Sequence, residues 1–181
     1  MLPDNIGEYQ VFDKFTGQKL LPELSLLLNE FSDTNDKLHK NYKDINFNNF
    51  ENYTIITHKN SIVSFSSILQ RDIWKKNTVR IFNRFWRNKK FKWVNPTFGI
   101  LSKLTYNHQI KYAKDNGFDF VFLSTEKTPK HFTRWLEQAN EYDGGWIYCL
   151  DKKRVCSGSP DKCVQWVIYK KISDTNETFP L

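Results

Sequence analysis

The polar residues best placed for chemistry are Ser124, Thr125 and Glu126, which follow directly on the apolar run Phe118 to Leu123. If that run is a strand, they stand at its carboxyl end, where polar groups commonly meet a ligand in open α/β sheets. Three histidines are candidates because they titrate near neutral pH. His58 closes one predicted strand and His131 opens a predicted helix after Pro129, so either could lie at the rim of a sheet. His108 falls on the apolar stripe of another helix, and a buried, hydrogen-bonded role is the plainer reading for it. Cys149, Cys156 and Cys163 could include a nucleophile, given a base to hold the thiolate. They could also join a histidine on zinc, but no Cys-x-x-Cys pair is present. Cytosolic free thiols in strands are the simpler reading, and no metal is expected.

A second concentration of chemistry is basic. Residues 71 to 92 carry Arg71, Lys75, Lys76, Arg80, Arg84, Arg87, Lys89, Lys90 and Lys92 against one acid, Asp72, in a chain of formal net charge +7. The plain reading is solvated charge around aromatics that pack the core. In a second, some of Arg84, Arg87, Lys89, Lys90 and Lys92 reach ligand phosphates or an acidic substrate. In a third, the cations meet nucleic acid while Trp86, Phe91 or Trp93 stacks on bases. No recognised nucleic-acid-binding motif accompanies them, so the third ranks last.

These residues need a scaffold, and its centre is the stretch from Val94 to Glu126. A loop with Pro96 and Gly99 leads into a helix whose Leu101, Leu104, Thr105, His108 and Tyr112 share one face. Gly117 suits a left-handed stop, and Phe118 to Leu123 reads as a strand covered on both sides. Earlier, residues 9–15 read as a strand and Leu20 to Phe31 as an amphipathic helix, with a polar segment from Lys37 to Glu51. Residues 53–58 and 61–69 form a hairpin around Lys59-Asn60, and residues 78–86 form one further strand. Later come a helix around Trp135, introduced by Pro129, and a strand pair over 146–150 and 163–172. With 181 residues, 16% aromatic and 26% charged, the chain reads as one globular domain. It has no apolar run near the roughly 20 residues needed to span a bilayer. The N-terminus MLPDNIGEYQ does not resemble a secretory signal, so a cytoplasmic location without membrane association is expected.

The resulting order, β-α-(α)-β-β-β-α-β-α-β-β from Tyr9 to Ile172, resembles the GCN5-related N-acetyltransferase (GNAT) fold. The resemblance implies a single α/β domain, acyl-CoA N-acyltransferase-like, with a mixed, mostly antiparallel sheet and a central β-α-β crossover. It implies acetyl transfer from acetyl-CoA to a small-molecule or protein amine. The cofactor would lie between the 78–86 and 118–124 strands. Backbone amides of Thr97, Phe98, Gly99, Ile100, Leu101 and Ser102 would hold its pyrophosphate, with Ser124 on the far strand. The family loop reads Q/R-x-x-G-x-G/A; here V-N-P-T-F-G-I-L matches only at Gly99, and Phe98 adds bulk beside it. The family's tyrosine acid on the next helix is replaced by Trp135, leaving Tyr142 as a substitute and Glu126 as the proposed base. Arg84, Trp86 and His131 are the candidate substrate contacts. The alternative is a non-enzymatic relative of the fold that binds nucleic acid or a protein through residues 71–93. An open cleft favours the first reading, and one continuous basic patch favours the second.

Overall fold

A computed structural model describes residues 6–32, 45–91, 98–125, 129–155 and 164–180. The chain runs β1 (Tyr9–Phe12), α1 (Leu21–Ser32), β2 (Phe50–His58), β3 (Ser61–Leu69), β4 (Ile73–Trp74) and β5 (Thr78–Arg80). It continues through β6 (Asn83–Arg87), α2 (Ile100–Asp115), β7 (Phe120–Thr125), α3 (Pro129–Tyr142), β8 (Trp146–Val155) and β9 (Val164–Lys171). The first sheet has the order β1-β2-β3-β6, and the second β4-β5-β7-β9-β8. Every pairing is antiparallel except β5 with β7.

The predicted strand over 78–86 is in fact two strands in two sheets. Its first three residues pair with β7, and after Ile81 the chain turns away to pair with β3 as β6. Alternation alone cannot reveal this break, because Phe82 and Arg84 continue the pattern while adopting φ of 58° and 51°. Left-handed backbone at non-glycine residues costs about 1–3 kcal/mol each and persists only where surrounding contacts enforce it.

Other boundaries follow local chemistry. Lys59 and Asn60 both have positive φ, 48° and 67°, as a two-residue hairpin turn requires. Helix α2 ends in a Schellman motif: Phe118 N–H donates to Ala113 O, and Gly117 N–H to Lys114 O, with Gly117 at φ 76°. Pro129 opens α3, where its missing N–H removes no helical bond. The polar segment after α1 lies mostly outside the described residues, as do Cys156 and Cys163.

Leu24 and Leu28 of α1 pack on one face of the first sheet with Phe47, Phe50, Tyr53, Phe65 and Trp86. Helix α2 spans both sheets, so its buried arc is wider than the predicted stripe. Leu101, Ser102, Thr105, Tyr106, Gln109, Ile110 and Ala113 are all buried. Ile110, Ala113, Trp135, Ala139 and Trp146 join Val79, Val121 and Ile168 in the core beneath the second sheet. On that sheet's other face, Phe179 stacks on Tyr169 at 4.2 Å and packs with Phe120, Phe122 and Trp74.

Candidate functional site

The two sheets part at Ile81, and α2 starts beside the opening. Ile81 N–H still donates to Phe122 O at 2.9 Å. Beyond it, β6 follows β3 while β7 runs on through Leu123, Ser124 and Thr125. Gln109 reaches from α2 into this fork: its Oε1 accepts from Phe82 N–H at 2.8 Å, and its Nε2 donates to Ser66 Oγ at 3.0 Å. Its exposure of 0% marks it as part of the fork's base. Asp72, buried behind β6, accepts two bonds from Asn83 Nδ2 and one from Leu69 N–H. Burial holds the Asp72 carboxyl above the usual carboxylate range, and the Leu69 amide, Arg80 and Asn83 offset this only in part.

Helix α2 begins at Gly99, which supplies no side-chain cap, and the first intrahelical bond runs from Lys103 N–H to Gly99 O. The amides of Ile100, Leu101 and Ser102 therefore have no acceptor within the helix, at its partially positive end. Phe98 does not crowd them. Its ring is turned inward and meets Trp135 edge-on at 5.5 Å, with Tyr106 and Tyr142 alongside. Leu101 and Ser102 are buried, with their side chains in the interior. Thr97 and Glu126 lie outside the described residues, as does the side chain of His131.

Ser124 is buried on β7, and its carbonyl accepts from Arg80 Nη2 at 3.1 Å. Tyr142 closes α3, 41% exposed, with its hydroxyl on Asn107 and its ring over Lys103 Nζ at 5.6 Å. Arg84 is half-buried on the strained β6 backbone. Trp86 is 5% exposed in the core beneath α1, so its ring offers no face for stacking on a base. The basic series is divided as well. Lys75 and Lys76 sit in the β4–β5 turn, Lys89 and Lys90 follow the far end of β6, and Arg80 points to Ser124 O between them. Phe82, Asn83, Arg80, Asp72 and Gln109 form the fork together, and no motif in the sequence marks any of them for a role there. The one available signal was Gln109, an amide one turn beyond Thr105 within a buried helix.

His58 and His108 have local partners. His58 Nε2 lies 2.9 Å from Glu8 Oε2, with the Tyr9 ring 4.7 Å away. His108 Nδ1 lies 2.6 Å from Thr54 Oγ1. Burial keeps the His108 imidazole below its ordinary value, with Asp13 opposing and Lys111 reinforcing the shift. This is the hydrogen-bonded histidine expected from the stripe.

A mixed sheet that forks over the start of a crossover helix defines an acyl-CoA N-acyltransferase-like fold. No family model matches the sequence, and no curated protein matches it. Solved structures do match. A GNAT-family acetyltransferase from Streptococcus pneumoniae superposes with a TM-score of 0.59 at 14% identity, covering 91% of this chain and all of that one (100%). The ribosomal-protein-S18-alanine N-acetyltransferase of Escherichia coli gives 0.54 at 11% identity, over 96% of this chain and 99% of its own. A GNAT acetyltransferase from Elizabethkingia anophelis, solved with acetyl-CoA bound, gives 0.52 at 14% identity, over 91% and 99%. The chain has the GNAT fold. No helix among the described residues is long and apolar enough to cross a membrane.

Proposed function

We propose that this chain transfers the acetyl group of acetyl-CoA to an amine. The observation that carries the reading is the forked sheet with the uncapped start of α2 beside it. The chemistry of the site fits the cofactor: the loop residue nearest the amides is Gly99, and Phe98 is folded away from them. The structural neighbours named above, one of them holding acetyl-CoA, support the same assignment.

Bound there, acetyl-CoA supplies an acetyl group activated as a thioester. The chain's own residues do the rest. Amides of Gly99 to Ser102 bind the pyrophosphate, as helix N-termini bind phosphate generally. The edge of β7 around Ser124 lines the reacting end. Glu126, or a water it holds, takes the proton from the acceptor amine, and Tyr142 donates one to the leaving thiolate. Arg84 and His131 are the contacts proposed on the acceptor side.

The test is calorimetric titration of wild type and Gly99→Val with acetyl-CoA and with CoA. Micromolar binding that Gly99→Val abolishes is the expected result, because a branched side chain beside the amides blocks close approach. A folded wild-type protein that gives no heat with either ligand overturns the enzyme reading.

A further inference from the structure

The register of the second sheet shows where its parallel ladder should continue. Arg80 pairs with Phe122, and Ile81 N–H donates to Phe122 O. In regular parallel pairing the next bond of this kind falls two residues on, from Asn83 N–H to Ser124 O. The chain does otherwise. Asn83 pairs with Ser67 in the first sheet, and Ser124 O accepts from the Arg80 guanidinium at 3.1 Å. Arg80 thus takes the acceptor that the next rung would use, from the last residue that still pairs with β7.

Gln109 works on the other side of the break. It accepts from Phe82 N–H and donates to Ser66 Oγ, which itself donates to Asn83 O at 2.9 Å. Phe82 N–H, Asn83 O and Ser124 O, three backbone groups at the point of departure, are each met by a side chain. Buried backbone groups that lose a ladder partner need such replacements. The left-handed φ of Phe82 and Arg84 makes this arrangement strained, and resumed pairing with β7 would relieve the strain.

We propose that Arg80 and Gln109 are positioning residues that hold the cleft between β6 and β7 open, Arg80 by occupying Ser124 O and Gln109 by anchoring Phe82. The proposal rests on the acetyltransferase reading only for the identity of the ligand; the geometry of the fork stands apart from it. Without Arg80, Ser124 O becomes available to Asn83 N–H and the cleft can zip shut. Without Gln109, the Phe82 amide loses its acceptor and the fork loosens on the α2 side.

Three variants test this: Arg80→Met, Arg80→Lys and Gln109→Met. In Gln109→Met, NMR hydrogen exchange at Phe82 N–H should accelerate about tenfold or more, while Ile55 and Phe65 in the β2–β3 hairpin keep their wild-type rates. In Arg80→Met, cross-peaks between Asn83 N–H and the Leu123–Ser124 backbone should appear. Acetyl-CoA affinity should fall about tenfold, and Arg80→Lys, which still donates to Ser124 O, should recover most of it. Unchanged exchange at Phe82, or an equal rise across both sheets, overturns the role of Gln109. Absence of new contacts in a folded Arg80→Met overturns that of Arg80, as does unchanged affinity. If wild type itself fails to bind acetyl-CoA, the function reading falls, while the exchange and cross-peak results still judge the clasp.

Discussion

The side of α2 that faces the second sheet is aromatic and aliphatic, whereas the side that faces the first carries a seam of hydroxyls and amides beyond the apolar contact of Leu101 with Ile56 and Val63. On one side Tyr106, Ile110 and Ala113 meet Phe98, Trp135, Trp146 and Val121. On the other, His108 and Gln109 bond Thr54, and Gln109 also bonds Ser66. Apolar contact is non-directional and scales with area, so the first side supplies adhesion without dictating where strands must part. Hydrogen bonds are directional, and leaving one buried partner unmatched is costly, so the second side dictates position. One helix thereby glues one sheet and aligns the other.

The comparison breaks most visibly at Trp135. It sits between the Phe82, Phe98 and Trp146 rings, at 5.7, 5.5 and 5.1 Å. Trp135→Ala should cost about 3–5 kcal/mol in urea-induced unfolding, the usual range for deleting a buried aromatic. A loss below about 1 kcal/mol would mean that the aromatic side does not bear the adhesion assigned to it.

Tyr106 sharpens the contrast, because it brings one polar atom into the apolar side. Its hydroxyl donates to Asp143 Oδ2 at 2.5 Å and accepts from Trp146 Nε1 at 3.2 Å. Burial, and the Asp143 hydrogen bond after it, push the phenol well above its ordinary range. Asp143 moves the other way. Burial would raise its carboxyl, yet hydrogen bonds from Lys170 and Tyr106 outweigh that and hold it below the usual value. Tyr106→Phe should cost about 1–3 kcal/mol by the same unfolding measurement, since the Trp146 N–H is left without its acceptor. A neutral outcome would show that this pair is no more than a surface bond.

The smallest effect belongs to His108 on the polar side. Its folded pKa is depressed below 6.5, so the unfolded chain takes up the proton first as pH falls. The stability this contributes is whole above pH 6.5 and is lost as pH drops through 6.5 toward the lower folded value. The urea midpoint of wild type should therefore fall between pH 7.5 and 5.5, and His108→Gln should show a shallower dependence. Equal slopes would remove His108 from the polar seam's account.

Apart from β4 and the split of 78–86 into two strands, the order of strands and helices and the ends of α2 were legible in the sequence, because each rests on local chemistry. Gly117, Pro129 and the Leu24/Leu28 spacing act within a few residues, and the structure follows them. The fork was not legible, because it depends on residues that meet only after folding. Gln109 and Phe82 are 27 positions apart, and Arg80 and Ser124 are 44 apart. The alternation of 78–86 hid the break, since Phe82 has apolar neighbours on either course. Trp86 lies in the core, as the plain reading of the basic segment has it, and its place as a candidate substrate contact fails because its strand crosses to the sheet beneath α1. Of the candidate site, the helix start was readable from Gly99, and the residues that shape the opening in front of it were not.

The Phe179 stack has a consequence for how the protein is handled. Residues 173–180 form no helix or strand, and their polar links among the described residues include Ser173 Oγ to Asp119 and Asn77 Nδ2 to Glu177. A protease that nicked this segment would peel it from Trp74, Phe120 and Phe122, baring a contiguous aromatic surface of the kind that invites aggregation. Trimming during purification would then show as loss of solubility, with the forked sheet itself untouched.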